Sequence, residues 1–163
     1  MRPLVTLLAV VLAVLALSGP PAAAQTYRTG AIEIENPWAR ATPAGATVTA
    51  GYMRITNTGA VPDRLLAIRS AAAGSVDLQE LSLDDNVMRL RTLARGLAIA
   101  PGQTIELRPG FPWQAVFASL VSQLRPGDRV PATLVFEQAG SVEVDLAVHP
   151  IGTGLRRASA AGG

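Results

Sequence analysis

Residues 76–91, VDLQELSLDDNVMRLR, alternate apolar and polar side chains, stop at a short polar segment and then resume the alternation. A period of two is typical of a β-strand with one buried face, and Asp and Asn favour the turn between such strands. The stretch therefore predicts a hairpin made of strands 76–83 and 87–93. Its alternation also places Gln79 and Met88 on exposed faces of these neighbouring strands.

The same alternation recurs along the rest of the chain, in short runs separated by Gly, Pro, Asn and Asp, whereas helical periodicity is scarce. Runs of this kind at intervals of about ten residues are typical of antiparallel sandwiches and barrels. The sequence therefore predicts an all-β, antiparallel β-sandwich. Besides the hairpin, the predicted strands are 31–35, 47–57, 64–70, 104–107, 113–120, 130–137 and 141–148.

The chain begins with the features of a secretory signal in residues 1–24. Arg2 precedes an apolar run at 4–17, and the small residues Ala22-Ala23-Ala24 follow two prolines. This order predicts export to the periplasm with cleavage after Ala24. The apolar run is short for a bilayer, which needs about 20 residues, so no membrane span is expected after cleavage. Residues 25–150 are then predicted to form one domain, and the tail 151–163 to be disordered.

Composition excludes several classes of function. The chain has 14 basic residues, all arginine, against 12 acidic ones, with a net charge of +2. Because the arginines are not clustered, a nucleic-acid partner is not expected. The chain has no Cys, so we expect neither a disulfide nor lipid attachment through cysteine. Its one histidine, His149, lies at the end of the last predicted strand and is expected to be exposed and structural. Without a nucleophile and base, the protein is predicted not to be an enzyme.

Metal binding is constrained by the number of soft donors. Cu(I) selects thiolate, thioether and imidazole ligands, and beyond residue 24 the chain offers only Met53, Met88 and His149. Met53 is predicted to pack in the core, because it lies in an apolar stretch of a long strand. Met88 shares a strand face with Leu90. It is the only one of the three in a position suited to metal binding.

Residues 31–148 resemble the periplasmic copper chaperones of the PCu(A)C family. The resemblance implies a cupredoxin-like, Greek-key β-sandwich that carries Cu(I) to the copper centre of respiratory oxidases. An oxidase assembly protein or another periplasmic protein would then be the partner. The resemblance rests on five segments that occur in the same order as in the family: NPWARATPAGA at 36–46, GYMRITNTG at 51–59, VMRLR at 87–91, LAIAPGQTIELRPG at 97–110 and LRPGDRVPATLVFEQAGSVEV at 124–144.

In this family the Cu(I) ligands are two histidines and two methionines. By resemblance, the first histidine falls on Gln79 of the hairpin. The first methionine falls on Leu90, and Met88 on the same face could replace it. An amide oxygen is a hard donor and therefore a poor ligand for Cu(I).

The family's His-x-Met pair falls on Gln114 and Val116. A placement shifted by one residue puts the pair on Trp113 and Ala115 instead. Neither placement retains a histidine, so at most one thioether remains at the metal positions. The resemblance thus implies that the Cu(I) site is degenerate in this chain, with weak or lost binding.

Trp38 and three arginines have structural interpretations. Trp38 is expected to cover an open end of the sandwich, and Arg40 to pair with a nearby carboxylate. Arg89 and Arg91 alternate with the apolar residues of their strand and are expected to form a solvated stripe.

Two hypotheses about function follow. In the first, the domain still handles copper, either weakly through Met88 and His149 or with ligands from a partner or a second copy. In the second, it is a protein-interaction or scaffold module that kept the fold and lost the metal. Its contact surface would then lie around Gln79, Trp113 and Gln114.

Overall fold

The computed structural model describes residues 25–110 and 112–153, so the predicted signal at 1–24 and most of the predicted tail lie outside the described residues. Residues 151–153 form a turn. The part of the chain that is described contains no helix long and apolar enough to cross a membrane. Its strands are β1 (Thr26–Thr29), β2 (Ile32–Arg40), β3 (Val48–Asn57), β4 (Asp63–Arg69), β5 (Ala73–Asp84), β6 (Val87–Thr92), β7 (Leu97–Ile99), β8 (Thr104–Leu107), β9 (Trp113–Leu120), β10 (Arg129–Phe136) and β11 (Gly140–His149).

The strands form one continuous hydrogen-bonded sheet in the order β6-β5-β9-β8-β3-β2-β11-β10-β4-β7, with β1 added beside β2 and a further pairing between β9 and β3. The all-β prediction is confirmed. Its description as antiparallel needs one correction, because β11 pairs with β2, and β8 with β9, in parallel. Alternation within a strand reports which face is buried and carries no information about the direction of the neighbouring strand.

A single apolar core lies between the layers of the folded sheet. It is one cluster that draws residues from both ends of the strand order, including Leu78 of β5 and Ile99 of β7. Phe117 and Leu146 are fully buried within it. The sheet therefore curls over itself, and each strand has an inner face toward this cluster and an outer face away from it. Met53 is 3% exposed, which confirms its predicted place in the core.

The β5–β6 hairpin forms with the predicted turn. Leu83 lies opposite Met88, Leu81 lies opposite Leu90, and the two-residue loop consists of Asp85 and Asn86. Both loop residues have positive φ, 49° and 62°, as a type I′ turn requires. β6 is the last strand of the sheet order and is exposed along its whole length.

β2 contains a β-bulge that decides what the outer face presents. The register with β3 shifts between Glu35 and Trp38, and Asn36 has a φ of 47°. Because side chains alternate with a period of two, one extra residue exchanges the inner and outer faces. Ile32 and Ile34 are buried before the bulge, whereas Ala39 is buried after it. Trp38 and Arg40 consequently lie on the outer face.

Candidate ligand-binding site on the outer face

A depression of about 410 Å³ lies on the outer face of the sheet. Strands β2, β3, β5, β6 and β9 all contribute to it. Its walls are mainly aliphatic, and the one charged side chain among the described residues that line it is an arginine. The lining residues are Arg40, Ala41, Thr42, Pro43, Val48, Thr49, Ala50, Gln79, Leu90, Gln114, Val116 and Ile151.

Strand register brings four of these side chains together. Gln79 of β5 lies directly opposite Gln114 of β9. Val116 is two residues further along β9 and therefore on the same face, while Leu90 reaches the depression from β6. Sequence positions up to 37 residues apart thus meet at one place, and they are the positions to which the family resemblance assigns metal ligands.

The shifted placement of the His-x-Met pair, on Trp113 and Ala115, falls outside the depression. Ala115 is 0% exposed and lies in the core. Trp113 donates an Nε1 hydrogen bond to Glu80 Oε1 at 3.3 Å. Neither residue lines the depression. The placement on Gln114 and Val116 is therefore the one whose side chains share a surface with Gln79.

The remaining soft donors lie apart from the depression. Met88 is 65% exposed near the tip of the hairpin and does not line it. His149 stacks on Trp38, with ring centroids 5.3 Å apart and an interplanar angle of 16°. The expectation of an exposed histidine is therefore partly corrected, since His149 is half-buried.

Arg40 forms one wall of the depression and packs on an aromatic group. Its guanidinium carbon lies 5.6 Å from the ring centroid of Tyr52, and Tyr52 in turn contacts Trp38 with centroids 4.4 Å apart. Such a position over a ring face is attractive for a cation. The Nε of Arg40 is buried and has no hydrogen-bond acceptor.

The expectation that Arg40 pairs with a carboxylate of this chain is wrong. All 12 Asp and Glu residues lie within 25–110 and 112–153. The ion pairs among these described residues involve Arg28, Arg54, Arg64, Arg89 and Arg108, and none involves Arg40. The bulge explains this outcome, because it directs Arg40 to an outer surface where the other described lining residues are uncharged.

Tyr52 shows the electrostatic effect of this environment. Burial raises the pKa of Tyr52 above its ordinary value of 10.0, and the positive charge of Arg40 partly offsets the rise. Burial disfavours the charged phenolate, whereas a neighbouring cation favours it. The guanidinium therefore lies close enough to Tyr52 to act on it as a positive charge.

The donor set of the depression does not fit Cu(I). Gln79 and Gln114 offer amide oxygens, and Leu90 and Val116 offer no donor atom at all. Within the described residues, no group of three or more His, Cys, Asp or Glu side chains is placed to hold a metal ion. Cu(I) selects sulfur and imidazole donors, and we therefore assign no copper chemistry to these side chains.

Sequence reasoning missed Arg40, Thr42 and Ile151 as residues of this surface. The signal for Arg40 lies in Asn36-Pro37, a pair that interrupts a strand pattern and favours irregular backbone. No comparable signal exists for Ile151, since it follows the last strand and reaches the depression only through the fold.

Comparison with known proteins gives a consistent assignment. A family profile described as "Putative lipoprotein LpqE-like" matches residues 32–148. A protein named "Putative lipoprotein Lxx21020", from Leifsonia xyli subsp. xyli, is 27% identical over 130 residues, which are 78% of this chain and 76% of that protein.

Solved structures agree with this result. The copper-bound PCuAC domain from PmoF2 is 29% identical with a TM-score of 0.64, covering 77% of this chain and 98% of that domain. The apo form of the PmoF2 domain is 28% identical with a TM-score of 0.67, covering 80% and 98%. Cu(I)-bound DR1885 from Deinococcus radiodurans, 22% identical with a TM-score of 0.56 over 78% of this chain and 83% of that one, shares the fold. Because the profile covers well over half of its residues, this chain belongs to the LpqE-like family, and its β-sandwich is a cupredoxin-like PCuAC domain.

Proposed function

We propose that this protein is an exported, non-enzymatic binding module that kept the PCuAC fold and does not bind Cu(I) tightly by itself. One observation carries the proposal. The four side chains that meet in the outer depression at the family's metal positions are two amides and two aliphatic groups. Such a surface suits contact with an organic ligand or a protein segment, because it combines apolar area with a few hydrogen-bonding groups.

The β5–β6 hairpin supports a role in contacting a protein. Leu83, Met88 and Leu90 are large apolar side chains that are more than half exposed. All of them lie on the outer face, beside the depression. Adjacent exposed apolar side chains are typical of interaction surfaces. The hairpin and the depression would together form the contact region.

Export and the absence of catalysis are part of the same proposal. Residues 1–24 have the order of a secretory signal, and the matching family and the Leifsonia protein are described as lipoproteins. The only histidine stacks on Trp38 in place of contacting a nucleophile. These features favour a periplasmic binding protein over an exported enzyme.

A second candidate function is Cu(I) delivery with ligands completed by a partner. The similarity to a copper-bound PCuAC domain favours it, and Met88 supplies an accessible thioether on the correct face of the hairpin. In this case a respiratory oxidase assembly protein or another copper protein would provide the missing donors. This chain alone would then bind copper weakly.

A Cu(I) competition titration tests whether this chain has a tight copper site of its own. The exported chain, residues 25–163, is titrated against a strong chromophoric Cu(I) chelator, and we expect it to withdraw no copper. Met88→Ala and His149→Ala serve as matched controls. If the wild type withdraws one equivalent and Met88→Ala abolishes this, the domain has a rearranged copper site and the proposal is wrong.

A restored site provides the positive control for the same assay. The four residues at the family positions are exchanged for the family's ligands, and the resulting variant is expected to withdraw one copper, because imidazole and thioether groups would then converge on one depression. The substitutions are Gln79→His, Leu90→Met, Gln114→His and Val116→Met. If this folded variant binds no copper, these positions are not the metal positions of the fold.

A further inference from the structure

Arg40 is a cation that the described residues, 25–110 and 112–153, leave without a counter-charge. None of the 12 Asp and Glu side chains, all of which are described, forms an ion pair with it. Its buried Nε lacks an acceptor, and buried polar groups without a partner are rare in folded proteins. The side chain is also held in place, because it packs on Tyr52. A fixed and uncompensated guanidinium is a suitable group for binding an anion.

The neighbouring amides add hydrogen-bond donors. The side chains of Gln79 and Gln114 make no hydrogen bond to other described residues. Each carries an NH₂ group with two donor hydrogens. Because Gln79 and Gln114 are directly opposed on β5 and β9, both groups are available to one bound molecule. No acidic residue lines the depression, so nothing there repels an anion.

Apart from Thr42 and Thr49, the rest of the depression is apolar. Val48, Leu90, Val116 and Ile151 line it together with alanine and proline side chains. With a single cation and several aliphatic walls, the surface suits a monoanion with an apolar body better than a highly charged, strongly hydrated anion. A planar guanidinium also matches the geometry of a carboxylate.

We propose that the outer depression binds the carboxylate of a small amphipathic molecule, with Arg40 pairing with the carboxylate and the aliphatic walls covering its apolar body. This inference rests on the proposed binding role of the depression and names the class of ligand. The volume of about 410 Å³ lies within the range of about 300 to 1,000 Å³ that is usual for small-molecule sites. Gln79 and Gln114 donate to the same carboxylate or to an adjacent polar group.

The test is a titration of the exported protein with N-acetyl-leucine, followed by NMR chemical shifts or calorimetry. N-acetyl-leucinamide is the matched ligand control, since it keeps the apolar body and lacks the charge. We expect binding of the acid and at least about tenfold weaker binding of the amide, because a hydrogen-bonded charge pair is lost. Equal binding of the two ligands, or no binding of either, would overturn the inference.

Variants assign the effect to Arg40. Arg40→Gln should abolish the preference for the acid, and Arg40→Lys should restore part of it. Arg129→Gln, which removes an exposed arginine of β10 that does not line the depression, should leave binding unchanged. Gln79→Leu/Gln114→Leu provides an independent variant and should weaken binding of the acid while leaving Arg40 in place. Unchanged acid binding in folded Arg40→Gln would contradict the inference.

Two further arms separate this result from neighbouring conclusions. A peptide with a C-terminal leucine carboxylate is compared with N-acetyl-leucine, and much tighter binding of the peptide would assign the same carboxylate chemistry to a protein terminus. The Cu(I) titration is scored separately. A chain that binds neither copper nor carboxylate refutes the ligand class proposed here and leaves the protein-contact role of the hairpin to be tested by itself.

Discussion

Tyr52 is the residue whose environment is easiest to measure, because it is 2% exposed and lies between Trp38 and Arg40. The chain has two tyrosines, so a Tyr27→Phe variant leaves Tyr52 as the only one. We expect its phenolate absorbance to appear with a midpoint above 10.0, since burial raises the pKa. A spectrophotometric titration of the folded protein measures this, and a midpoint at or below 10.0 would contradict it.

The raised pKa of Tyr52 also predicts that the folded protein loses stability at high pH. The folded pKa of Tyr52 is higher than the unfolded one, so the folded state holds its proton more strongly. This contribution to stability is fully present below about pH 10 and is lost as the pH rises through the folded pKa. Tyr52→Phe should flatten the alkaline loss of stability. Arg40→Gln should raise the pKa of Tyr52 further, because the offsetting positive charge is removed.

Individual residues differ in how far the sequence alone determines their place. Met53 was correctly predicted in the core, because its alternation with Ile55 continues along an unbroken strand. The predicted carboxylate partner of Arg40 was wrong. A bulge between Glu35 and Trp38 exchanges the faces of β2, and an extra residue is not visible in a pattern until the partner strand is known.

At the scale of elements, β3 has no room for a side chain at Gly51. A Cβ at this position would lie 2.6 Å from Phe117 Cε2 and 3.0 Å from Leu146 Cδ2. Both neighbours are fully buried and have little room to move. We therefore expect Gly51→Ala to lower the free energy of unfolding by about 1–3 kcal/mol, the usual cost of overpacking a core.

Gly152→Ala is the matched control, because no atom of the described residues, apart from Gly152 and its chain neighbours, lies within 4 Å of a Cβ placed there. Both substitutions restrict the unfolded chain to a similar degree. The difference between their free energies of unfolding therefore reports the cost of overpacking at Gly51. Urea unfolding followed by tryptophan fluorescence measures it. Equal midpoints for the two variants would show that β3 and β9 can separate without cost.

Elements with strong local patterns were predicted well. The hairpin of β5 and β6 has the expected loop and pairing, because alternation and turn residues agree. β1 and β7 were missed. They contain four and three residues, which are too few to establish a period of two, and both form through pairing with β2 and β4.

At the scale of the whole molecule, β6 leaves one edge of the sheet open. If the β6 strands of two copies paired in antiparallel fashion with Leu90 opposite Leu90, Arg89 of one copy would lie opposite Arg91 of the other. Like charges placed opposite each other are destabilising, and charged residues at an edge oppose association. We expect the double substitution Arg89→Thr/Arg91→Thr to increase self-association, as measured by sedimentation velocity.

Arg125→Thr/Arg129→Thr removes the same charge from a surface outside β6 and serves as the control. Both double variants lower the net charge equally, so a general loss of solubility would affect them alike. Self-association of the control to the same extent would show that total charge, and not the edge of β6, is responsible.

The overall architecture could be predicted only in part from physical patterns. Alternation indicated an all-β fold of stacked layers, and the resemblance supplied the cupredoxin-like arrangement that the comparisons confirm. The parallel pairing of β11 with β2 could not be derived, because it joins opposite ends of the domain. The depression is equally non-local, since its walls come from β2 to β9 and from Ile151.

Along the eight residues of β9, side chains that pack in the core alternate with side chains that face the depression. Ala115 and Phe117 belong to the core, while Gln114 and Val116 face the depression. Substitutions at the second set leave the packing of the first untouched. In a mutational scan of β9, substitutions at Gln114 and Val116 should therefore change ligand binding and leave stability nearly unchanged. Substitutions at Ala115 and Phe117 should lower stability. The β9 residues that hold the fold are thus distinct from those that line the depression, so this surface can change by substitution while the core stays intact.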